Sequence, residues 1–316
     1  MIAALRRLGG MAITLAISSF VIFGSVYAAP GDPVTFLIGN PESLTPERLA
    51  AVRAQYHLDE PFVTQYLLWA KDVLHGDFGM SFVYQQPVGD ILGSRLPVTL
   101  ALVAFAALIF VTVGVLLGAV SALRRGGIAD TVIAGVTTFA TSIPAFVVAL
   151  VLVSVFAVNL GWFEVTGDGD GFVDRIYHLT LPAISLALGS IAVVSRVTRQ
   201  TMLEQQSLEH VDVARSFGLR SSTIVRRHVL RNAIGPVMTM CGLTLAGMLA
   251  GTVVIESVFG LNGMGSLLVE SINAHDFPVV QATMLYMIVA YMVVTTIIDL
   301  LYPLADARTL TRGGTP

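Results

Sequence analysis

Charged residues are what this sequence has least of. Asp, Glu, Lys and Arg make up 12% of its 316 residues, about half of the roughly 25% that is usual in soluble domains. Hydrophobic residues account for 55%, and the mean hydropathy is +0.79. This balance excludes an ordinary soluble domain and predicts an all-α membrane protein, because helices satisfy their own backbone hydrogen bonds in lipid. We expect membrane lipid and no nucleic acid among its partners.

Lysine and cysteine are almost absent. The one lysine, Lys71, is followed by Asp72. A phosphate-binding loop requires a glycine-rich turn that ends in Lys-Ser or Lys-Thr, so the chain does not bind ATP by that route. The one cysteine, Cys241, cannot form an internal disulfide and is expected to pack inside a membrane span.

The residue patterns of catalysis and metal binding are also missing. The six histidines do not follow a ligand spacing such as His-Glu-x-x-His, and no serine lies in a Gly-x-Ser-x-Gly turn. We therefore expect no catalytic residue, cofactor or metal site in this chain. Ion-coupled carriers place ionisable residues deep in their spans, whereas here only Glu256 and Asp299 lie near span ends. A gating role and a simple interfacial position both remain open for these two acids.

Long apolar runs are abundant by contrast. Each is long enough to cross a hydrocarbon core as a helix of about 20 residues, and together they predict six spans in one domain, 1–316. The first exceeds the 7–15 residues usual in a signal peptide, so we expect it to be an uncleaved span. Pro144 and Pro182 should bend or break their helices. The six runs are 8–29, 97–122, 131–158, 178–195, 233–255 and 279–304.

Arginine placement predicts the orientation of these spans. In a six-span arrangement, 13 of the 18 basic residues fall on one side. Basic residues near span ends stay in the cytoplasm, so both termini are expected there, in a multi-pass protein of the cell membrane. The 13 are Arg6, Arg7, Arg124, Arg125, Arg196, Arg199, Arg215, Arg220, Arg226, Arg227, Arg231, Arg308 and Arg312.

The external loop 30–96 contains two helix start signals. The first is TPE at 45–47 and the second is DEP at 59–61, each with proline in the first turn and a nearby acid. Apolar side chains then recur at helical spacing before Gly76. We expect two short amphipathic helices on the outer face of the membrane. The apolar stripe of the second is Phe62, Tyr66, Trp69 and Val73.

A polar, helix-patterned segment, 209–236, interrupts the apolar spans. Ser207 is predicted to cap a helix that ends at Gly218, a residue suited to the left-handed conformation. Ser221 or Ser222 then begins a second helix that carries Arg226, Arg227 and Arg231. Residues at three-residue steps form a thin apolar stripe on the first helix: Leu208, Val211, Ala214 and Phe217. An amphipathic helix on anionic lipid and a docking surface for another protein are the two interpretations.

Several motifs along the whole chain resemble those of one family, the permease subunits of binding-protein-dependent ABC importers of the dipeptide, oligopeptide and nickel type. DVARSFG at 212–218 and HVLRNAIGP at 228–236 resemble its coupling region, with Asp-Val where the Glu-Ala-Ala-x-x-x-Gly motif has Glu-Ala. The last six residues of the second segment, RNAIGP at 231–236, resemble the peptide branch of the family and not the sugar branch. The other matching segments are APGDP at 29–33, YHLDEP at 56–61, GDFGMSF at 76–82, VIESVF at 254–259, GMG at 263–265 and DLLY at 299–302.

The resemblance implies a type I ABC importer permease fold with six transmembrane helices and a cytoplasmic coupling region at 196–232. It implies a second homologous permease subunit, two cytoplasmic ATPase subunits that bind ATP and Mg²⁺, and an external solute-binding protein. The resemblance implies that the residues that couple the chain to the ATPase are Val211, Asp212, Ala214, Arg215, Phe217, Gly218 and Leu219. It also implies that an external gate or loop contains Glu256, Phe259, Gly263 and Gly265.

Three functions remain open at this point. The favoured one is import of di- or oligopeptides, and the same architecture could import nickel or another small solute. A membrane scaffold or sensor, which uses its basic loop to bind lipid, is the alternative of a different class.

Overall fold

The computed structural model describes residues 2–28 and 59–305. Within these ranges the chain is helical and contains no β-strand, apart from an isolated antiparallel bridge between Met80 and Pro87. The helices are α1 Ile2–Ala28, α2 Phe62–Leu74, α3 Val88–Leu123, α4 Ile128–Ser142, α5 Ala145–Leu152, α6 Gly171–Gln206, α7 Glu209–Ser216, α8 Ser221–Ile224, α9 Arg231–Phe259, α10 Met264–Asn273 and α11 Phe277–Ala305. Two π-helical segments, Val153–Asn159 and Val225–Leu230, continue α5 and join α8 to α9.

Four helices in the described ranges are long and apolar enough to cross a membrane, and a fifth crossing follows if the bent pair α4–α5 counts as one span. The four are α3, α6, the continuous helix Ser221–Phe259, and α11. In α1 the apolar stretch Gly9–Ser25 is shorter. The all-helical, multi-span architecture is thereby confirmed, whereas the count of six stays a prediction.

The two prolines singled out in the sequence behave differently. Pro144 lies between α4 and α5, and the axes of the flanking helices are bent by 99°. Pro182 lies inside α6, a helix of 36 residues that continues without interruption past this proline. A break at Pro182 is therefore not observed, because packed helices can accommodate the backbone group that a proline leaves without a partner. The fourth span, the shortest apolar run in the sequence, belongs to one of the longest helices.

The chain divides into two compact units. Unit 1 comprises residues 1–99 and 262–292, and unit 2 comprises 100–261 and 293–316. Organisation as a single domain remains a prediction. The first predicted helix of the external loop, at 45–47, lies outside the described residues.

In unit 1, α2 packs its aromatic stripe against α1. The rings of Phe20 and Tyr66 meet edge to face at 5.1 Å between centroids, and those of Phe23 and Trp69 lie 5.4 Å apart. The Ser19 hydroxyl also hydrogen-bonds the Tyr66 hydroxyl at 2.9 Å. The structure therefore contains a helix at the second predicted start, with α1 as the partner of its aromatic stripe, whereas the place of this loop outside the membrane stays a prediction. Aromatic pairs of this geometry contribute about 0.5–1.5 kcal/mol each beyond burial.

In unit 2, α3 and α6 approach closely at two glycines of α3. A Cβ atom on Gly118 would lie 2.5 Å from the Ser195 carbonyl oxygen and 2.6 Å from Thr198 Cβ. On Gly114 it would lie 3.0 Å from Val194 Cβ. Glycine is therefore required at Gly118 for the backbones to reach this separation. The contact positions the end of α6 from which the polar segment starts.

Candidate functional site

The polar segment begins where α6 ends. Ser207 donates its hydroxyl hydrogen bond to the Glu204 carbonyl, at 2.8 Å, so it closes α6. The residue before α7 is Leu208, in extended conformation and without a side-chain cap. The predicted N-cap at Ser207 is therefore wrong, because the hydroxyl serves the helix behind it. The helix that follows, α7, spans Glu209–Ser216.

Gly218 reverses the chain after α7. Its φ is +74°, in the left-handed region, where a residue with a side chain costs about 1–2 kcal/mol. The Gly218 amide donates to the Arg215 carbonyl at 2.9 Å, and the Leu219 amide donates to the Ala214 carbonyl at 3.3 Å. A Cβ atom at Gly218 would meet nothing within 4 Å. The predicted left-handed stop is confirmed, and its requirement for glycine is conformational.

The inward side of α7 is part of the core of unit 2. Val211 is fully buried and Ala214 nearly so, and they pack in one cluster with residues of α3, α6, α8 and α9. This cluster contains Ala122, Met202, Val211, Ala214, Ile224, Val229 and Ala233. Burying a side chain the size of valine, isoleucine or methionine stabilises the fold by about 1.5–3 kcal/mol. The core thus holds α7 at a fixed position on the unit.

The predicted stripe of α7 divides between two sides. Leu208 is exposed, and Phe217 is 81% exposed, so neither joins Val211 and Ala214 in the core. We define the outward face as Val213, Phe217 and Leu219, all of them exposed. A surface ion pair between Asp212 and Arg215, at 3.2 Å, lies beside it.

The second helix of the segment is continuous with α9 through the π-helical turn Val225–Leu230. Ile224 and Val229 are buried, whereas Arg226, Arg227 and Arg231 are exposed. The helix begins at Ser221 after Arg220 in extended conformation, without a side-chain cap. No feature of the sequence indicated the π-helical turn.

An ion pair that the sequence analysis missed fastens α6 beside this segment. The Arg199 guanidinium donates to both carboxylate oxygens of Asp130, at 2.7 and 2.8 Å. The same carboxylate accepts hydrogen bonds from the Ser121 hydroxyl at 2.5 Å and the Gly126 amide at 2.9 Å. Four donors therefore satisfy one buried carboxylate, and the ends of α3, α4 and α6 are joined by it.

The four predicted external residues fall in two places. Glu256 and Phe259 are buried at the end of α9 in unit 2, and Gly260 ends that helix with φ +59°. Gly263 and Gly265 belong to unit 1, at the start of α10. There the Met264 amide donates to the Thr99 hydroxyl at 2.8 Å. Their common role as an external gate stays a prediction.

A buried carboxylate also organises unit 1. Asp276 is fully buried and accepts the Ser81 hydroxyl hydrogen and the Val83 amide hydrogen, the latter at 3.2 Å. The Ser81 oxygen in turn accepts from the Tyr84 amide at 2.9 Å. The GDFGMSF motif therefore encodes a turn that is anchored, across 195 positions of sequence, to the start of α11.

Tyr84 extends this anchor to α10. Its hydroxyl donates to Glu270 at 3.1 Å, and Arg95 lies 3.7 Å from the same carboxylate. Burial and the adjacent Glu270 carboxylate raise the pKa of Tyr84 above its ordinary value. The hydroxyl therefore keeps its proton and its donor role throughout the physiological range of pH.

The described residues include no group of three or more His, Cys, Asp or Glu side chains that could hold a metal ion. The segment 207–236 thus places exposed apolar side chains on one side of α7 and holds the other side of that helix in the core of unit 2.

Two family models match the chain. The binding-protein-dependent transport system inner membrane component matches residues 114–311, and its N-terminal companion matches residues 1–103. A putative peptide transport system permease protein of Brucella abortus is 36% identical over 307 residues, 96% of this chain and 97% of that one. A dipeptide transport system permease protein of Bacillus subtilis is 34% identical over 305 residues, 96% of each chain. A glutathione transport system permease protein of Escherichia coli is 35% identical over 298 residues, 94% of this chain and 95% of that one.

Solved structures agree on the fold. A chain of the MetNI methionine ABC transporter in an inward-facing conformation matches with a TM-score of 0.58 and 16% identity, over 68% of this chain and 96% of that one. A chain of an amino acid ABC transporter, solved with histidines, matches with a TM-score of 0.51 and 21% identity, over 67% and 93%. The chain belongs to the family of binding-protein-dependent transport system inner membrane components.

Proposed function

We propose that this chain is the permease subunit of an ATP-driven ABC importer, and that it forms the path for di- or oligopeptides delivered by an external binding protein. Family membership supports the importer, and the names of the relatives support a peptide substrate. The complex contains a second homologous permease and two cytoplasmic ATPase subunits. ATP and Mg²⁺ bind to the ATPases, and this chain carries out no catalysis.

The proposed topology has six spans: α1, α3, the bent pair α4–α5, α6, Ser221–Phe259 and α11. Both termini and the Gly218 turn lie in the cytoplasm, as the arginine distribution predicts. Residues 168 and 219 lie beyond opposite ends of the 36-residue helix α6, which at 1.5 Å per residue is about 54 Å long. A membrane-impermeant thiol label in intact cells tests this: a cysteine at 168 reacts and one at 219 does not.

The observation that carries the coupling role is the outward face on α7. Its apolar side chains are exposed while the opposite side of the same short helix is locked into the core of unit 2. Phe217, directly after α7, is 81% exposed, and Val213 and Leu219 are exposed close to it in the chain. The outward face therefore fits a groove on the ATPase, and Asp212 and Arg215 lie at the rim of that contact.

Glu256 and Phe259, with Gly263 and Gly265, are proposed to form the external gate or loop, close to the surface that receives the binding protein. Two observations support this: burial of Glu256 at the end of a span, where ionisable groups are costly and retained for function, and the chain reversal at Gly260 that follows it.

Phe217→Ser tests the coupling role, with Phe172→Ser as its matched control. The two phenylalanines are equally exposed, at 81% and 80%. Phe172 lies in the first turn of α6, and Phe217 lies beyond the opposite end of that helix. Truncating a central interface residue costs about 2–4 kcal/mol. Phe217→Ser should therefore abolish co-purification of the ATPase subunits and substrate-stimulated ATP hydrolysis, while Phe172→Ser leaves ATPase co-purification intact. Equal co-purification in both variants would contradict the docking role.

A ligand panel decides the substrate. The reconstituted complex with its binding protein is given dipeptides, longer peptides, glutathione or nickel, and ATP hydrolysis is measured. Stimulation by peptides alone supports the proposal, and stimulation by nickel alone replaces it with the metal importer. A purified chain that binds no ATPase and responds to no solute identifies the membrane scaffold.

A further inference from the structure

An apolar groove lies on unit 2, among α3, α9 and α11. Its volume is about 350 Å³, within the range of roughly 300–1,000 Å³ for small-molecule sites. Phe110 and Val111 of α3 face Val237 and Cys241 of α9 across it. Ile298 of α11 closes one side, where it packs so tightly on α9 that a Cβ atom at Gly242 would lie 2.3 Å from it.

The lining of the groove restricts its occupant. Its exposed surface is almost entirely carbon. A peptide backbone or an ion would lose its hydration there without a replacement for the lost hydrogen bonds, which is strongly unfavourable. The occupant is therefore a hydrocarbon.

One lining residue departs from this pattern. Thr198 is buried, and its hydroxyl oxygen makes no hydrogen bond to any residue that the structure describes. Most buried polar groups have a partner. Because Thr198 also lines the groove, a change of its χ1 rotamer would bring this hydroxyl to an oxygen of the occupant. Thr198 lies against Gly118, beyond the last α3 residue of the lining, Val115. The polar end of the occupant is thereby placed at the end of the groove where Leu230 also lies.

Three arginines lie close to Leu230 in the chain. Leu230 lies between Arg227 and Arg231 in the chain, with Arg226 adjacent, and all three arginines are exposed. None of the three forms an ion pair or hydrogen bond with the part of the chain at 2–28 and 59–305 that the structure describes. Arginines beside an apolar groove on the cytoplasmic side of a membrane are suited to an anionic lipid headgroup.

We propose that the groove binds one acyl chain of an anionic phospholipid, whose headgroup phosphate contacts Arg227 and Arg231 and whose ester oxygen accepts a hydrogen bond from Thr198. The site rests on the proposed topology, in which this end of α9 faces the anionic inner leaflet. The lipid is a resident of the subunit and is separate from the transported solute. Hydrocarbon burial and headgroup charge act on the same molecule, so either alone retains it weakly.

Native mass spectrometry of the full-length chain, with the subunits that co-purify, measures the retained lipid. The sample is exchanged into nanodiscs of phosphatidylcholine and phosphatidylglycerol in equal amounts before release. Val237→Trp fills the groove, and Leu243→Trp is its control, because Leu243 is 57% exposed on the same helix outside the lining. The double variant Arg227→Gln/Arg231→Gln removes the headgroup contacts, and Arg124→Gln/Arg125→Gln makes the same charge change at the α3–α4 turn.

The wild-type chain and both controls should retain phosphatidylglycerol in preference to phosphatidylcholine. The double variant at Arg227 and Arg231 should bind it about 25-fold more weakly, since each basic residue near an anionic surface contributes about a fivefold factor. Val237→Trp should lose both lipids from the site.

Retention of the two lipids without preference, or equal retention in all variants, overturns the proposal. Dissociation of permease pairs by Val237→Trp, with lipid unchanged, also overturns it and identifies the groove as a surface for a second copy. Peptide-stimulated ATP hydrolysis is measured on the same samples. A wild-type complex that responds to peptide but retains no lipid rejects the lipid site and leaves the transport function standing.

Discussion

Arg199 donates two parallel hydrogen bonds to the carboxylate of Asp130, at 2.7 and 2.8 Å. The two residues are 69 positions apart, and their contact holds the last turns of α6 to the first turn of α4. Because α7 follows α6 directly, this pair also determines where the proposed docking element sits. Bidentate pairing of this kind requires the planar guanidinium and cannot be reproduced by lysine.

Substitutions at Arg199 should lower thermal stability in a graded way. Arg199→Gln leaves a buried carboxylate without its cationic partner, which is strongly destabilising, and Arg199→Lys keeps the charge but loses one of the two bonds. The unfolding midpoint in detergent should fall by several degrees in the first variant and less in the second. Arg196→Gln, at an exposed position one turn earlier, is the control and should match the wild type. If Arg199→Gln unfolds at the same midpoint as the control, the ion pair does not stabilise the contact between α6 and α4.

Two helix-interior glycines should respond oppositely to alanine. At Gly118 a methyl group would lie 2.5 Å from the Ser195 carbonyl oxygen, so α3 and α6 must separate. At Gly135 in α4 a methyl group meets nothing within 4 Å, and alanine gains up to about 1 kcal/mol of helix propensity. Thermal unfolding should show Gly118→Ala below the wild type and Gly135→Ala equal or above. Equal midpoints for both variants would refute the close approach.

Val211 and Val213 separate stability from docking, because they lie two residues apart on α7 with opposite exposure, 0% and 51%. Val211→Ser forfeits about 1.5–3 kcal/mol of side-chain burial and should lower the yield of folded protein. Val213→Ser should fold normally and bind the ATPases less tightly in a pull-down. A Val213→Ser chain that couples as well as the wild type would remove Val213 from the outward face. Ala214→Glu is a poor test of docking, since Ala214 lies in the core cluster.

At Gly218 the choice of side chain distinguishes conformation from crowding. The position has φ +74° and open space around its α-carbon, so the penalty of substitution is the left-handed conformation. Asparagine tolerates that conformation and valine does not. Substrate-stimulated ATP hydrolysis should survive Gly218→Asn and fail in Gly218→Val. Loss of activity in both would mean that the partner surface, and not φ, requires glycine.

Asp276→Ala should loosen the turn of the GDFGMSF motif. The change deprives the Ser81 hydroxyl and the Val83 amide of their acceptor, at about 1.5–3 kcal/mol for each hydrogen bond to a charged group. Limited proteolysis should then cut near residues 76–87 in the variant and spare the wild type. Glu270→Ala, which removes an exposed acceptor of Tyr84 from the same region, should cause little change. Resistance to proteolysis in Asp276→Ala would show that the turn is held by other contacts.

The sequence predicted those features that depend on local chemistry. The left-handed conformation of Gly218 and the burial of Val211 could be predicted, because a helix-ending glycine and a three-residue apolar periodicity are visible in neighbouring residues. The side on which Phe217 lies could not, since Phe217 follows the last residue of α7, where the helical periodicity ends. Ser207 lies between α6 and α7 and could have capped either helix. Its hydroxyl donates to the Glu204 carbonyl of α6. The Asp130–Arg199 pair and the Gly118 contact depend on which helices meet, and one chain's periodicity does not contain that information.

The backbone of the helix Ser221–Phe259 is not equally stiff along its length. Its first half contains a π-helical turn at Val225–Leu230 and also Pro236, whose missing amide hydrogen removes one of the backbone hydrogen bonds of the helix. From residue 237 to Phe259 the backbone hydrogen bonds are regular over about 35 Å. Bending of this helix is therefore expected in the part next to α7, and the regular part from residue 237 to Phe259 would move as one rigid body. A tilt of about 5° at that pivot would carry Phe259, and the Glu256 side chain one turn before it, through about 3 Å.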